Sequence, residues 1–211
     1  MRKLILKMSM SLDGFVAAPD GSPGGLFQDS DEQSKAWTLE TVWNASLHLM
    51  GSRTFHEMVA FWPTSTDAFA PPMNRIPKAV FTHRGHAVLE GLDTPAGLER
   101  AARVGGNDAP TTLQPGAESW THPYVADGGL EEEIVRLKAE AGKPMIAHGG
   151  ADFARSLVAS DLVDEYHLAV HPVILGRGLP IFSDLAQARR LKRMDVKTFP
   201  GGCVALIYRP A

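Results

Sequence analysis

Only one cysteine, Cys203, occurs in 211 residues. It leaves no intrachain disulfide framework and no multi-cysteine zinc site, and it fits a reducing compartment. No apolar run is long enough to span a bilayer. Met1-Arg2-Lys3 leads into a short apolar segment with no h-region or small-residue cleavage site, so the expectation is a cytoplasmic protein that meets no membrane. Charge of one sign is scarce too. A formal net charge of −3 gives no electrostatic footprint for nucleic acid or an anionic lipid surface. The 8 histidines lack metalloprotease spacing, so no metal is expected. An α/β hydrolase would need a Gly-x-Ser-x-Gly elbow, and the chain has none.

What is present is enough apolar residue for one sizeable core, read as a single domain over 1–211. Leu4 to Ser11 reads as an interior strand ending at Asp13-Gly14. Phe15-Val16-Ala17-Ala18 follows as a brief extended segment, and Pro19 to Gly25 is turn-rich. A helix is expected from Asp31 to about Leu47, a strand over Leu47 to Met50, a helix from Arg53 to Met58 or beyond, and a proline-bearing loop to Pro77. Lys78 to Thr82 reads as a third strand. Residues at about 85–118 read as a loop-rich insertion with a short helix over Thr94 to Val104. Trp120 and Tyr124-Val125 suggest a strand edge, and Gly129 to Ala141 a helix with acid in its first turn. Met145 to His148 is a buried strand, Gly149 to Asp152 opens a helix, and Val163 to His171 alternates as a strand. Met194 to Phe199 and Val204 to Tyr208 form an antiparallel pair around Pro200-Gly201-Gly202. The sum is an α/β sheet, mostly parallel, with helices on both faces and an antiparallel C-terminal hairpin.

Three strand ends carry residues suited to a phosphorylated ligand: Gly51-Ser52-Arg53-Thr54, Thr82-His83-Arg84 and Gly149-Gly150-Ala151-Asp152. First-turn N–H groups lack intrahelical partners, the helix dipole is positive there, glycine admits a ligand close to the backbone, and arginine offers a planar fork. Each corner alone also reads as a turn with an N-cap. In a parallel sheet such ends share one edge, where one long, multiply phosphorylated ligand would touch all three.

In this order the motifs Met10-Ser11-Leu12-Asp13-Gly14-Phe15-Val16-Ala17, Met50 to Phe55, Pro77 to Thr82, Ile146 to Ala151, and Leu162 to Gly178 resemble the dihydrofolate reductase-like superfamily. The similarity is greatest to the branch holding the C-terminal reductase domain of the bifunctional riboflavin-biosynthesis deaminase-reductase. The resemblance implies the three-layer fold of that superfamily and NADPH-dependent hydride transfer to a small substrate, heteroaromatic or ribosylamine-like. It implies that Gly51, Ser52, Arg53 and Thr54 hold phosphates, with Arg53 facing the adenosine 2′-phosphate. Phe81, Thr82, His83 and Arg84 would flank the adenosine half. Gly149, Gly150, Ala151, Asp152 and Phe153 would wrap the pyrophosphate and nicotinamide ribose, and Val16 and Ala17 would sit beside the nicotinamide ring. Relatives in that branch are commonly dimers, so a homodimer is a further expectation.

The departure lies on the substrate side. Dihydrofolate reductases proper carry a carboxylate on the first helix facing the pterin, whereas Lys35 to Glu40 offers Trp37, Thr38 and Leu39 there. Asp13 is the acid candidate that the riboflavin-type branch implies, although an Asp before Gly also forms turns. The rival to a reductase is a protein that binds NADPH to sense or store it without turnover.

Overall fold

The computed structural model describes residues 1–105, 112–183 and 185–211. Along the chain its strands are β1 (Leu4–Ser11), β2 (Leu47–Gly51), β3 (Lys78–Phe81), β4 (Tyr124–Ala126), β5 (Met145–Ala147), β6 (Glu165–His171), β7 (Leu191–Thr198) and β8 (Val204–Pro210). Its helices are α1 (Glu32–Trp43), α2 (Ser52–Val59), α3 (Ala70–Arg75), α4 (Pro95–Val104), α5 (Leu130–Ala139) and α6 (Ala151–Ala159). Among the described residues these eight strands join one sheet in the order β4-β3-β2-β5-β1-β6-β8-β7. From β4 to β6 the pairs are parallel, and β8 and β7 close the sheet antiparallel. That is the expected α/β architecture.

Parallel strands covered on both faces need apolar side chains at successive positions. On β1, Leu4, Leu6, Met8 and Met10 point into the layer that holds Ile134 and Leu137 of α5 and Leu157 and Val158 of α6. Ile5 points the other way, with Ile146, Met50, Val42 of α1 and Phe55 of α2. Farther along that second face Trp37 of α1 packs on Ala169, Cys203 and Ala205, so the one cysteine is a small core residue.

Three local readings change. α1 ends at Trp43 and is capped by Asn44, because Leu47 is already paired to Met145 in the sheet. The stretch read as loop to Pro77 contains α3, whose Pro71 and Pro72 lie in the first turn, where a missing N–H leaves no helical bond unmade. Trp120 belongs to a 3-10 turn, Ala117–Trp120, not to a strand edge. It is fully buried, and its Nε1–H donates to Asn74 Oδ1 at 2.7 Å.

The stretch at 85–118 carries the expected short helix, α4, with Thr94 as its N-cap. Residues 106–111 of the expected loop lie outside the described residues. Val88, Leu92, Leu98, Ala102 and Ala117 are buried in the same layer as Phe55 and Val80, so this segment is packed into the core.

Candidate functional site

Two helices begin directly at the carboxyl ends of central strands. β2 passes through Gly51 into α2, and β5 passes through His148, Gly149 and Gly150 into α6. Neither start is capped by a side chain, so their first-turn N–H groups are left to other partners. The two starts touch. A Cβ on Gly51 would stand 3.4 Å from Cβ of Phe153, and one on Gly150 would stand 3.0 Å from Thr54 Oγ1. A methyl at Gly150 would crowd Thr54 Oγ1, whereas one at Gly51 would make ordinary contact with Phe153, so it is Gly150 that lets the α6 start lie close to α2.

Between them opens a cleft of about 360 Å³, within the range of small-molecule sites. It gathers Gly51, Ser52, Arg53 and Thr54 from the first corner, Phe81, Thr82 and His83 from the end of β3, and Gly150, Ala151, Asp152 and Phe153 from the second. Ala126, Gly128, Leu130, Ser156 and Leu179, none singled out from the sequence, complete its wall. The rings of Phe81 and Phe153 lie 4.8 Å apart, tilted by 32°, and form an apolar side. Asp152 is the carboxylate in the lining, and Arg155 lies 3.2 Å from it. Arg53 is exposed, and no carboxylate pairs with it among the described residues.

Five expected residues stand outside this lining. Arg84 is exposed and turns its guanidinium to Ala87 O at 3.3 Å. Gly149, at φ 102°, lies behind the cleft, where an added Cβ would meet Met8 Cε at 3.1 Å. Val16 and Ala17 are one layer back. Val16 N–H donates to Leu179 O, and Leu179 N–H donates to Ala17 O, both at 2.9 Å, so this ribbon presents Leu179 to the cleft. Asp13 is exposed, and its two oxygens accept from Leu175 N–H at 3.1 Å and Gly176 N–H at 2.7 Å. Hydrogen bonds from the Ser11 side chain and from those two amides hold its carboxyl below the usual range. Asp13 thus ties the end of β1 to the loop after β6.

Lys7 was hidden by the apolar strand around it. By alternation it shares the second sheet face with Ile5 and Ser9, opposite His167 on β6 and beside His148 at the end of β5. Lys7, Ser9 and His148 each retain partial exposure, although most of their neighbours on β1 and β5 are buried. Burial lowers the Lys7 ammonium to about 8. A charged residue inside a strand that is otherwise buried was the available signal.

This fold and this cleft define a reductase-like domain of the dihydrofolate reductase-like class. The chain belongs to the RibD C-terminal domain family, whose family model matches residues 2–205. It is 25% identical over 212 residues to the uncharacterized protein YwjB of Bacillus subtilis (strain 168), covering 98% of this chain and 97% of that protein. It is 40% identical over 85 residues to the uncharacterized protein YyaP of the same strain, a match spanning 40% of this chain and 45% of YyaP. A putative riboflavin biosynthesis protein from Shewanella sp. PV-4 shares the fold with a TM-score of 0.67 at 17% identity, over 99% of both chains. The deaminase/reductase of Thermotoga maritima superposes with a TM-score of 0.60 at 17% identity, covering all of this chain but 57% of the longer one.

Proposed function

We propose that this domain is an NADPH-dependent reductase that transfers a hydride to a small heteroaromatic or ribosylamine-like acceptor. The observation that carries the reading is the junction of two uncapped helix starts with an unpaired Arg53 in one cleft. Such a donor set suits a dinucleotide bearing an extra phosphate. Arg53 would hold the 2′-phosphate, with the α2 start beside it. The α6 start would bind the pyrophosphate, and Asp152 would accept from ribose hydroxyls. Phe81 and Phe153 give the cleft its apolar wall, and the Val16–Ala17 ribbon would flank the nicotinamide through Leu179. When bound, NADPH supplies the hydride, so the chain's task is to orient it and exclude water.

Reduction of a C=N or C=O group also needs a proton. Asp13 is engaged by two backbone amides, which favours an anchoring role for it. Lys7, whose ammonium burial lowers to about 8, would be the group that holds the proton.

Replacing Arg53 by alanine tests the cofactor assignment. The loss of a charge-assisted contact to phosphate weakens NADPH binding by roughly 10- to 100-fold. NADH binding changes little. Equal affinities for the two cofactors in the wild type, unaltered by the substitution, would remove the phosphate assignment.

A further inference from the structure

The cleft takes one wall from α6 and another from the loop after β6, and a single side chain bridges the two. Arg155 lies on α6 three residues after Asp152, one turn along the same side of the helix. Its Nη1 donates to Asp152 Oδ1 at 3.2 Å, and its Nη2 donates to Pro180 O at 3.1 Å. Asp152 and Leu179, the residue before Pro180, both line the cleft. The loop that carries them past the cleft is paired with the Val16–Ala17 ribbon, through the two Leu179 hydrogen bonds and a bridge between Phe15 and Pro180. That pairing is close, since a Cβ on Gly178 would stand 2.3 Å from Ala17 O. On the other side of Pro180, Ile181 is buried in the layer that holds Leu157 and Val158 of α6. Arg155 therefore grips the carbonyl of the residue between one sunk in the core and one facing the cleft.

We propose that Arg155 is a positioning residue: one arm of its guanidinium aims the Asp152 carboxylate at the nicotinamide ribose, while the other sets the Leu179 ribbon against the nicotinamide ring. This rests on the NADPH reading above. An ion pair three residues apart on a helix, with the Asp152 side chain 77% exposed, contributes little to stability. Its effect is on geometry. Without its partner the aspartate would turn freely in water, and the cost of ordering it would fall on the ligand. A planar fork suits the task, because two N–H groups of one rigid unit reach oxygens on two separate segments, which an ammonium on a flexible stem does not reproduce. Placement of this kind matters for hydride transfer, where the ring must stand in contact with its acceptor.

The experiment is calorimetric titration of the full chain with NADPH, NADH and adenosine 2′,5′-bisphosphate, for wild type, Arg155→Met, Arg155→Lys, Asp152→Asn and the double variant of Arg155→Met with Asp152→Asn. The bisphosphate carries the adenosine half without nicotinamide, so it reads the Arg53 end of the cleft. Arg155→Met weakens NADPH about tenfold and leaves the bisphosphate unchanged. Asp152→Asn does likewise, and the double variant loses less than the product of the two, because the pair acts through one contact. Emission of the bound dihydronicotinamide reads the second arm. Asp152→Asn keeps the contact to Pro180 and with it the wild-type emission, whereas Arg155→Met and Arg155→Lys, saturated with NADPH, shift it toward that of the free cofactor.

Equal losses for NADPH and the bisphosphate in Arg155→Met would mark a general disturbance of the cleft, and no change in affinity or emission would mark a surface pair; either result overturns the proposal. Wild-type behaviour of Arg155→Lys would leave only the charge to matter and would overturn it as well. Should Arg155→Met fail to fold, Arg155→Lys carries the same comparison, with bisphosphate binding as the check that the cleft is intact. Failure of the underlying reading looks different: the wild type itself would then not bind the bisphosphate and would show no preference for NADPH over NADH.

Discussion

Lys7 is the charged side chain within β1. Its neighbours Leu6 and Met8 announce a buried strand, and a lone lysine there reads as an interruption, because charge in a core has no obvious partner until the folded sheet is seen. The parallel register then puts His167 opposite it and His148 beside it, from segments more than a hundred residues away. Those neighbours are imidazoles whose protonated forms burial disfavours most, with the Lys7 charge lowering the His148 value further. Lys7 is left as the group able to hold a proton near neutrality. As a proton donor at about 8 it must be protonated to act. With an acceptor found by screening NADPH oxidation against pterins, flavin precursors and quinones, turnover should therefore fall as pH rises through about 8. Lys7→Met should lower kcat by roughly 10²- to 10⁴-fold while leaving NADPH affinity intact, and the alkaline limb should vanish. An unchanged pH profile in that variant would assign the proton to another group.

At the scale of elements, strand and helix identities were legible wherever a periodic run was long: β1, β6, the β7–β8 hairpin, α5 and α6. Boundaries were set by pairing that no local pattern records, as when the sheet claims Leu47 and shortens α1. α3 escaped because six residues with two prolines resemble a loop, although prolines are tolerated in a first turn. The segment at 85–118 looked peripheral because it is rich in glycine. Gly97 explains part of that composition. A Cβ there would lie 2.2 Å from Gly91 O, so glycine is required for α4 to close against the chain before it. Gly97→Ala should cost about 1–3 kcal/mol in urea unfolding, as overpacking does. A neutral result would mean that α4 is loosely attached.

For the whole molecule, the convergence of corners was foreseeable from a parallel sheet, and Gly51 to Thr54, Phe81 to His83 and Gly150 to Phe153 do meet. Arg84, Gly149, Val16 and Ala17 lie one layer off, since a strand-end motif fixes the edge but not which neighbouring side chain faces inward. The same sheet carries an acid sensitivity. His148 is lowered to about 3, first by burial and then by the charges of Lys7 and Lys78, and burial also lowers His48 well below its usual range. Because the unfolded chain takes up these protons near pH 6.5, stability from this source is full above that pH and is lost as pH falls through the window down to about 3. For His148 the loss is on the order of 2 kcal/mol by about pH 5, and His148→Gln should show a correspondingly shallower decline in denaturant unfolding. Identical declines would place the protonation elsewhere.

The most direct test of the central claim is a crystal structure of the wild-type chain with NADPH. The account predicts the 2′-phosphate against Arg53, the pyrophosphate at the start of α6, and the nicotinamide near the Val16–Ala17 ribbon. A dinucleotide bound away from the Gly51 and Gly150 corners, or no binding at saturating concentration, would contradict it.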